Sequence, residues 1–330
     1  MSLPAEPTFS FARWTRYLAV LGVILAFSLV WIVPGTTYDF VYDWLSARAF
    51  IDGLNPHQTL DALTDVYGLT NELQYIHPRI PGALVILAPI GVVPFSMEYV
   101  VGRLLTVGSA FGLALIFARL ANIRATIVVA LVPITLLIPP FSMVLRVSQT
   151  DFLIAALIGA TLLLVNKGDR ALAGIPLGIA VTLKLWAWPL CFALILGRRW
   201  RAGVGAMVTF TVLNMVGLAF PHVSVAGTSD ALSSVWSLHQ SRTGSLTAIL
   251  GVSPLLLPIL LVMLMAAWAL SKREPKWDLL FVFAIPVALM VAPIVWITYT
   301  VSFLIPIAWL LSRRSDHRSP SIRRSEPSLG

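Results

Sequence analysis

The chain has 330 residues, of which 58% are hydrophobic and 12% charged, and its mean hydropathy is +0.87. A soluble domain of this length cannot hide that much apolar surface, so the composition predicts a polytopic membrane protein. The formal charge of +8 gives no reason to expect nucleic acid, because most basic residues sit in short loops and the tail, where they set topology.

The first apolar run, 18–33, follows Arg13 and Arg16 and ends at Trp31-Ile32-Val33-Pro34 without a small-residue cleavage pattern. It reads as an uncleaved first span that starts on the cytoplasmic side. The polar stretch 34–80 then holds six of the 15 acidic residues: Asp39, Asp43, Asp52, Asp61, Asp65 and Glu72. Carboxylates gathered just beyond the end of a span suggest a site rather than a solubilising surface.

The basic clusters fix the rest of the topology. Arg119 and Arg124, Lys167 and Arg170, Arg198-Arg199-Trp200-Arg201, and Lys272, Arg273 and Lys276 mark successive cytoplasmic turns, and five arginines mark the tail. Only an odd number of crossings fits between the first outer loop and Arg119. Of the two apolar runs there, 81–94 is short and carries Pro81, Pro89 and Pro94, so it is expected to lie at the interface or re-enter, and 100–118 is the crossing. Glu98 and Arg103 stand at its outer end. Runs 125–140, 151–165, 202–220 and 246–270 follow as spans.

Run 171–197 passes from one basic loop to another, so it must go out and return. It is too short for two full spans of about 20 residues, which implies short or broken helices with a polar apex at Lys184–Pro189. Run 278–311 poses the same problem, with an apex at Ala292–Trp296. The expected fold is an all-α, polytopic transmembrane helical bundle of about ten crossings. It is a single domain over 1–311. Within it, 34–99 forms a first external loop with interfacial helices, and 312–330 is a disordered, basic cytoplasmic tail. The polar stretches 34–80, 141–151 and 221–245 and both apices fall on the outer face. No P-loop or GxGxxG occurs.

Several residues on that face could carry chemistry. Asp39 is held near the interface by the preceding span, where a partly desolvated carboxylate can act as a general base; a solvated loop aspartate is the plainer alternative. Asp43 lies at i+4 and shares a helix face with it. Two such carboxylates could perturb each other or hold a divalent metal, but the spacing alone indicates no cofactor. Lys184 stands in an apolar context beside Trp186 and Trp188, so it should face a polar cavity or an anion such as phosphate, or else snorkel to the interface. Arg146, Gln149 and Asp151 form one polar island, and His239-Gln240-Ser241-Arg242 forms another. His57 and His77 flank the acidic stretch without metal-site spacing. Cys191, the single cysteine, reads as a packed small hydrophobe.

In order, these islands resemble the integral-membrane glycosyltransferases of the GT-C superfamily, and within it family 87, the DUF2029-type polyprenyl-phosphate mannosyltransferases. Asp39…Arg48-Ala49…Gly53…Asn55-Pro56-His57 is similar to that family's Asp…Arg-Ala-Leu-Leu-x-Gly-x-Asp-Pro-Tyr. Tyr75-x-His77-Pro78 followed by Pro89, Ser148-Gln149-Thr150-Asp151, Ala173-Gly174…Leu183-Lys184…Pro189, His239-Gln240-Ser241 and Ala292-Pro293-Ile294-Val295-Trp296 resemble its further motifs. The resemblance implies transfer of a sugar, mannose or arabinofuranose, from a polyprenyl-phosphate donor to a lipid-linked or glycan acceptor on the outer face of the cell membrane.

Carried over residue by residue, Asp39 would be the catalytic base and Lys184 would meet the donor phosphate, aided by Arg146 or Arg242. Asp43, His57, Gln149, Asp151, His239 and Trp296 would line the cavity. The chain departs from the family in three places. Trp296 is followed by Ile297-Thr298-Tyr299 where the family has an acidic residue and His, Asp43 stands at a commonly aromatic position, and His57 replaces Tyr. The alternatives are a lipid-linked sugar transporter or flippase, which would want internal symmetry and polar residues at mid-membrane, and a non-catalytic envelope-assembly subunit.

Overall fold

The computed structural model describes residues 11–35, 38–58, 60–68, 79–239, 256–272, 276–291 and 297–316. Among them every regular element is a helix. The helices are α1 (Phe11–Ile32), α2 (Tyr38–Ile51), α3 (Leu60–Val66), α4 (Pro81–Gly91), α5 (Glu98–Leu120), α6 (Ala125–Leu137), α7 (Phe141–Val147), α8 (Asp151–Lys167), α9 (Ile175–Leu183) and α10 (Pro189–Leu196). They continue with α11 (Trp200–Leu218), α12 (Val225–His239), α13 (Leu256–Leu270), α14 (Trp277–Val291) and α15 (Leu304–Asp316).

Three stretches, Trp14–Ile32, Phe95–Leu120 and Trp200–Leu218, are long and apolar enough to cross a bilayer. At about 1.5 Å per residue, 19 or more helical residues approach the ~30 Å of a hydrocarbon core. Helices α6 and α7 pass the same test together, bent by 73°. The bend falls at Pro139-Pro140, a cis peptide. Proline has no N–H to continue the helical ladder, so the bend has a local cause. The sequence places a loop at 141–151, whereas the chain forms α7 there. It likewise places a loop at 221–245, whereas 225–239 is helix α12. Helix α7 has seven residues behind the Pro-Pro bend, and α12 carries several serines, a threonine and an aspartate, compositions that read as loop.

Stretch 171–197 is broken as expected. A 3-10 turn (Ala171–Gly174) leads into α9, Lys184 takes an extended conformation, and a second 3-10 turn (Leu185–Ala187) leads into α10. Run 81–94 becomes α4, whose 11 residues are too few to cross. Its buried residues face α2 and α11. The residues 292–296, expected as the second apex, lie outside the described ones. Helix α15 runs on to Asp316, past Leu311, where the sequence places the start of the tail. It is tied back by Trp309 Nε1, which donates to Asp278 at 3.2 Å, and by an Arg313–Asp278 ion pair.

The core joins α5, α8, α9, α10 and α14 through buried Leu, Ile, Ala and Phe, with Cys191 among them. Without a hydrophobic force between helices in lipid, close approach at small residues holds such bundles together. Helix α11 shows this along its length. A methyl added at Gly174 would collide with the backbone of Ala202 and Ala206, and one at Gly217 with the backbone of Pro81. The fully buried Arg103 of α5 closes the end of α1. It donates to the carbonyl of Val30 at 3.1 Å, whose i+4 residue, Pro34, has no N–H to offer, and to that of Val33. Its guanidinium also stands over the Tyr99 ring, 4.3 Å from the centroid.

Gly174→Ala is therefore expected to lower stability by about 1–3 kcal/mol through overpacking. Gly112→Ala, with nothing within 4 Å, is expected to be neutral or slightly stabilising, since alanine favours helix over glycine. Thermal unfolding of the two purified variants in one detergent checks both.

Candidate active site

Five segments meet at one small cavity. Asp39 and Asp43 come from the first turns of α2, and Arg79 from the segment leading into α4. Gln149 and Thr150 come from the turn between α7 and α8, and Lys184 from the break after α9. Tyr299 comes from the 3-10 turn Ile297–Phe303. The cavity is about 10 Å³, room for about one water.

Local backbone explains how these side chains arrive there. Ser148 ends α7 in the left-handed region (φ 55°, ψ 48°), which reverses the chain and lets Gln149 N donate to Val144 O at 3.1 Å. Helix α8 then starts at Asp151, so a carboxylate stands at a helix N-terminus, where the dipole favours it. Helix α9 stops at Leu183 because Lys184 is extended. One of the carbonyls this leaves open, that of Leu183, accepts from Arg79 Nη1 at 3.3 Å.

The charges are paired. Lys184 Nζ stands 2.5 Å from Asp151 Oδ1, with side-chain exposures of 9% and 3%. The ammonium also lies 4.0 Å from the centroid of the Tyr299 ring, which stacks on Trp186. Arg79 Nε donates to Asp43 Oδ1 at 2.6 Å, and its Nη2 meets the same oxygen; both side chains are buried. Asp39 instead accepts from the side-chain amide of Gln149, whose oxygen accepts from the Thr298 hydroxyl at 2.5 Å. Asp43 is thus engaged by a guanidinium. Among the described residues no group of three or more His, Cys, Asp or Glu is placed to hold a metal.

Other sequence candidates fall elsewhere. Asp151 reaches the cavity only through Lys184. Arg146 is exposed on the last turn of α7 and takes no part in the lining. His57 is half-buried behind Arg79. Its Nε2 donates to the Arg79 carbonyl at 2.9 Å and lies 3.4 Å from Thr228 Oγ1 on α12. The side chain of His239, and Arg242 and Trp296 entirely, lie outside the described residues. Sequence reasoning missed Arg79, although a cation directly after Tyr75-x-His77-Pro78 and before a proline-led apolar helix was a usable signal. It took Ile297-Thr298-Tyr299 only as a departure from the family pattern; Tyr299 lines the cavity and the Thr298 hydroxyl donates to Gln149.

An all-helical membrane protein with paired carboxylates and cations around a buried cavity has the makings of a group-transfer enzyme. The profile of glycosyltransferase family 87 matches residues 75–321, and the chain belongs to that family. No curated protein and no solved structure matches it. The matched stretch contains Arg79, Gln149, Asp151, Lys184, Thr298 and Tyr299. Asp39 and Asp43 precede it and are brought to the same cavity by the fold, with His57 behind Arg79.

Removing one partner of a buried ion pair leaves the other charge stranded. Arg79→Met is expected to lower stability by about 3–5 kcal/mol, and the double variant Arg79→Met, Asp43→Leu to recover most of that loss. Unfolding of the wild type and both variants in detergent tests this.

The His57 imidazole gives a pH dependence. Burial holds its pKa below the usual 6.5, and the Arg79 carbonyl pulls the other way. The unfolded chain therefore takes up a proton near pH 6.5 while the folded one does not, so the unfolded state binds more protons below that pH. Stability is expected to be level above about pH 6.5 in this respect and to fall as pH drops through the folded value. Unfolding midpoints between pH 5 and 7.5 should show a shallower acid slope for His57→Gln than for the wild type.

Proposed function

We propose that this glycosyltransferase moves a sugar from a polyprenyl-phosphate donor to a lipid-linked or glycan acceptor on the outer face of the membrane, by an inverting displacement with Asp39 as base. The observation that carries this reading is the division of labour around the cavity. Lys184 and Arg79 supply two positive charges. Asp43 and Asp151 pair with them directly, and Asp39 lies at the same cavity, where it accepts from the amide of Gln149.

The acceptor hydroxyl attacks the anomeric carbon from the face opposite the phosphate. Its proton passes to Asp39 as the new C–O bond forms. The bond from the anomeric carbon to the phosphate oxygen breaks, and the lipid phosphate leaves with the electron pair, its charge met by Lys184 and Arg79. A phosphate leaving group needs no proton near neutral pH, so one base and two cations suffice, and the mechanism requires no metal. A cavity of about 10 Å³ does not hold a sugar, so donor binding draws the ion pairs apart. A phosphate that replaces Asp151 at Lys184 keeps the ammonium paired throughout.

Purified wild type and Asp39→Asn, assayed in parallel with radiolabelled polyprenyl-phosphate mannose and polyprenyl-phosphate arabinose, test the reading. Label is expected to enter membrane lipids with the wild type, and the variant is expected to lose about 10²–10⁴-fold in rate with an unchanged unfolding midpoint. Wild-type turnover in a well-folded Asp39→Asn would remove Asp39 from the mechanism. Incorporation from neither donor, with the fold intact, would overturn the donor class and favour transport or scaffolding.

A further inference from the structure

The chain Thr298–Gln149–Asp39 has one hydrogen-bonding sense. A side-chain amide presents an oxygen that only accepts and a nitrogen that only donates, and an ionised carboxylate only accepts. Gln149 can therefore face Asp39 only with its nitrogen. That leaves its oxygen toward Thr298, which must donate, as its Oγ1 does at 2.5 Å. A hydroxyl is needed at 298: a group that could not donate would leave the amide oxygen unsatisfied in a buried setting and let the amide turn over. The turned amide would aim its oxygen at the carboxylate. Thr298 is 3% exposed, so solvent is poorly placed to supply the missing donor.

We propose that Thr298 is a positioning residue for the transfer reaction: through the fixed amide of Gln149 it keeps Asp39 ionised and aimed at the acceptor hydroxyl. The inference rests on the reading of Asp39 as base. It assigns a role to the segment Ile297-Thr298-Tyr299, which departs from the family pattern, and it links the two ends of the chain at the reacting group. Other charges face Asp39 as well. Asp43 stands one turn along α2, Arg79 comes from the approach to α4, Lys184 from the break after α9, and Tyr299 from the same turn as Thr298. Arg146 lies beyond Gly35, whose added methyl would meet the Arg146 backbone. Removal of the hydroxyl at 298 acts on Asp39 through the Gln149 amide.

The test uses full-length enzyme with the labelled donor that it turns over, and follows kcat and KM from pH 5 to 8 for the wild type, Thr298→Val, Thr298→Ser, Gln149→Glu and Asp39→Asn. Thr298→Val is expected to lose about tenfold or more in kcat with KM little changed, and the acid limb of its kcat profile is expected to move to higher pH. Thr298→Ser should restore both. Gln149→Glu, which sets a second carboxylate against Asp39, should move the limb further in the same direction. A valine variant with wild-type kcat and an unmoved acid limb would overturn the proposal while Asp39→Asn stays inactive. An active Asp39→Asn would instead overturn the base assignment on which it rests. A serine variant as impaired as the valine one would show that the methyl, and not the hydroxyl, matters, and would overturn it too.

Discussion

An ammonium or guanidinium removed from water costs several kcal/mol unless a counter-charge comes with it, and this chain removes two of them at one place. Lys184 is set in a gap between short apolar helices, and Arg79 is buried against α2 and the end of α9. Each finds a carboxylate, Asp151 for the lysine and Asp43 for the arginine. The two pairs join α2, the approach to α4, the start of α8 and the break after α9. Helix ends cooperate, since Asp151 opens α8 and the Leu183 carbonyl accepts from Arg79. The cavity exists because these charges must be together and cannot be covered by apolar side chains.

This arrangement also separates the three aspartates by environment, although they are alike in sequence. Asp43 and Asp151 balance fixed cations. Asp39 accepts from the amide of Gln149 and also lies in the field of Arg79. On the proposed mechanism, the acceptor hydroxyl meets these carboxylates at one cavity and Asp39 takes its proton.

Much of the fold was legible in the sequence. Helices α1, α5 and α11 follow from long apolar runs. The break at Lys184 follows from a stretch that must return to the side it left with too few residues to do so. Helices α7 and α12 were not legible: α7 has seven residues behind a Pro-Pro bend, and α12 carries serines, a threonine and an aspartate that read as loop. At the site, Asp39, Asp43, Gln149 and Lys184 could be singled out because each is a polar residue beside an apolar run. Arg79 could not be paired with Asp43 in advance, since their contact depends on how α4 packs against α2. Thr298 and Tyr299 were not singled out because motif comparison asks which residue type follows Trp296, whereas the cavity depends on which atoms reach Gln149 and Lys184.

The family match begins at residue 75 and so omits α2, yet the cavity needs α2 for two of its three carboxylate-bearing partners. The cations, the amide and the Thr298 hydroxyl come from the matched stretch, while the candidate base comes from outside it. On the proposed mechanism, a site divided in this way can keep its phosphate-binding side constant while the side facing the acceptor changes. Lys184 and Arg79 would need only a phosphate in common among donors, and the first turns of α2 would meet whatever hydroxyl is presented to Asp39. Changes in α2 would then bear on the acceptor, and changes in the Ile297–Phe303 turn on how the proposed base is held.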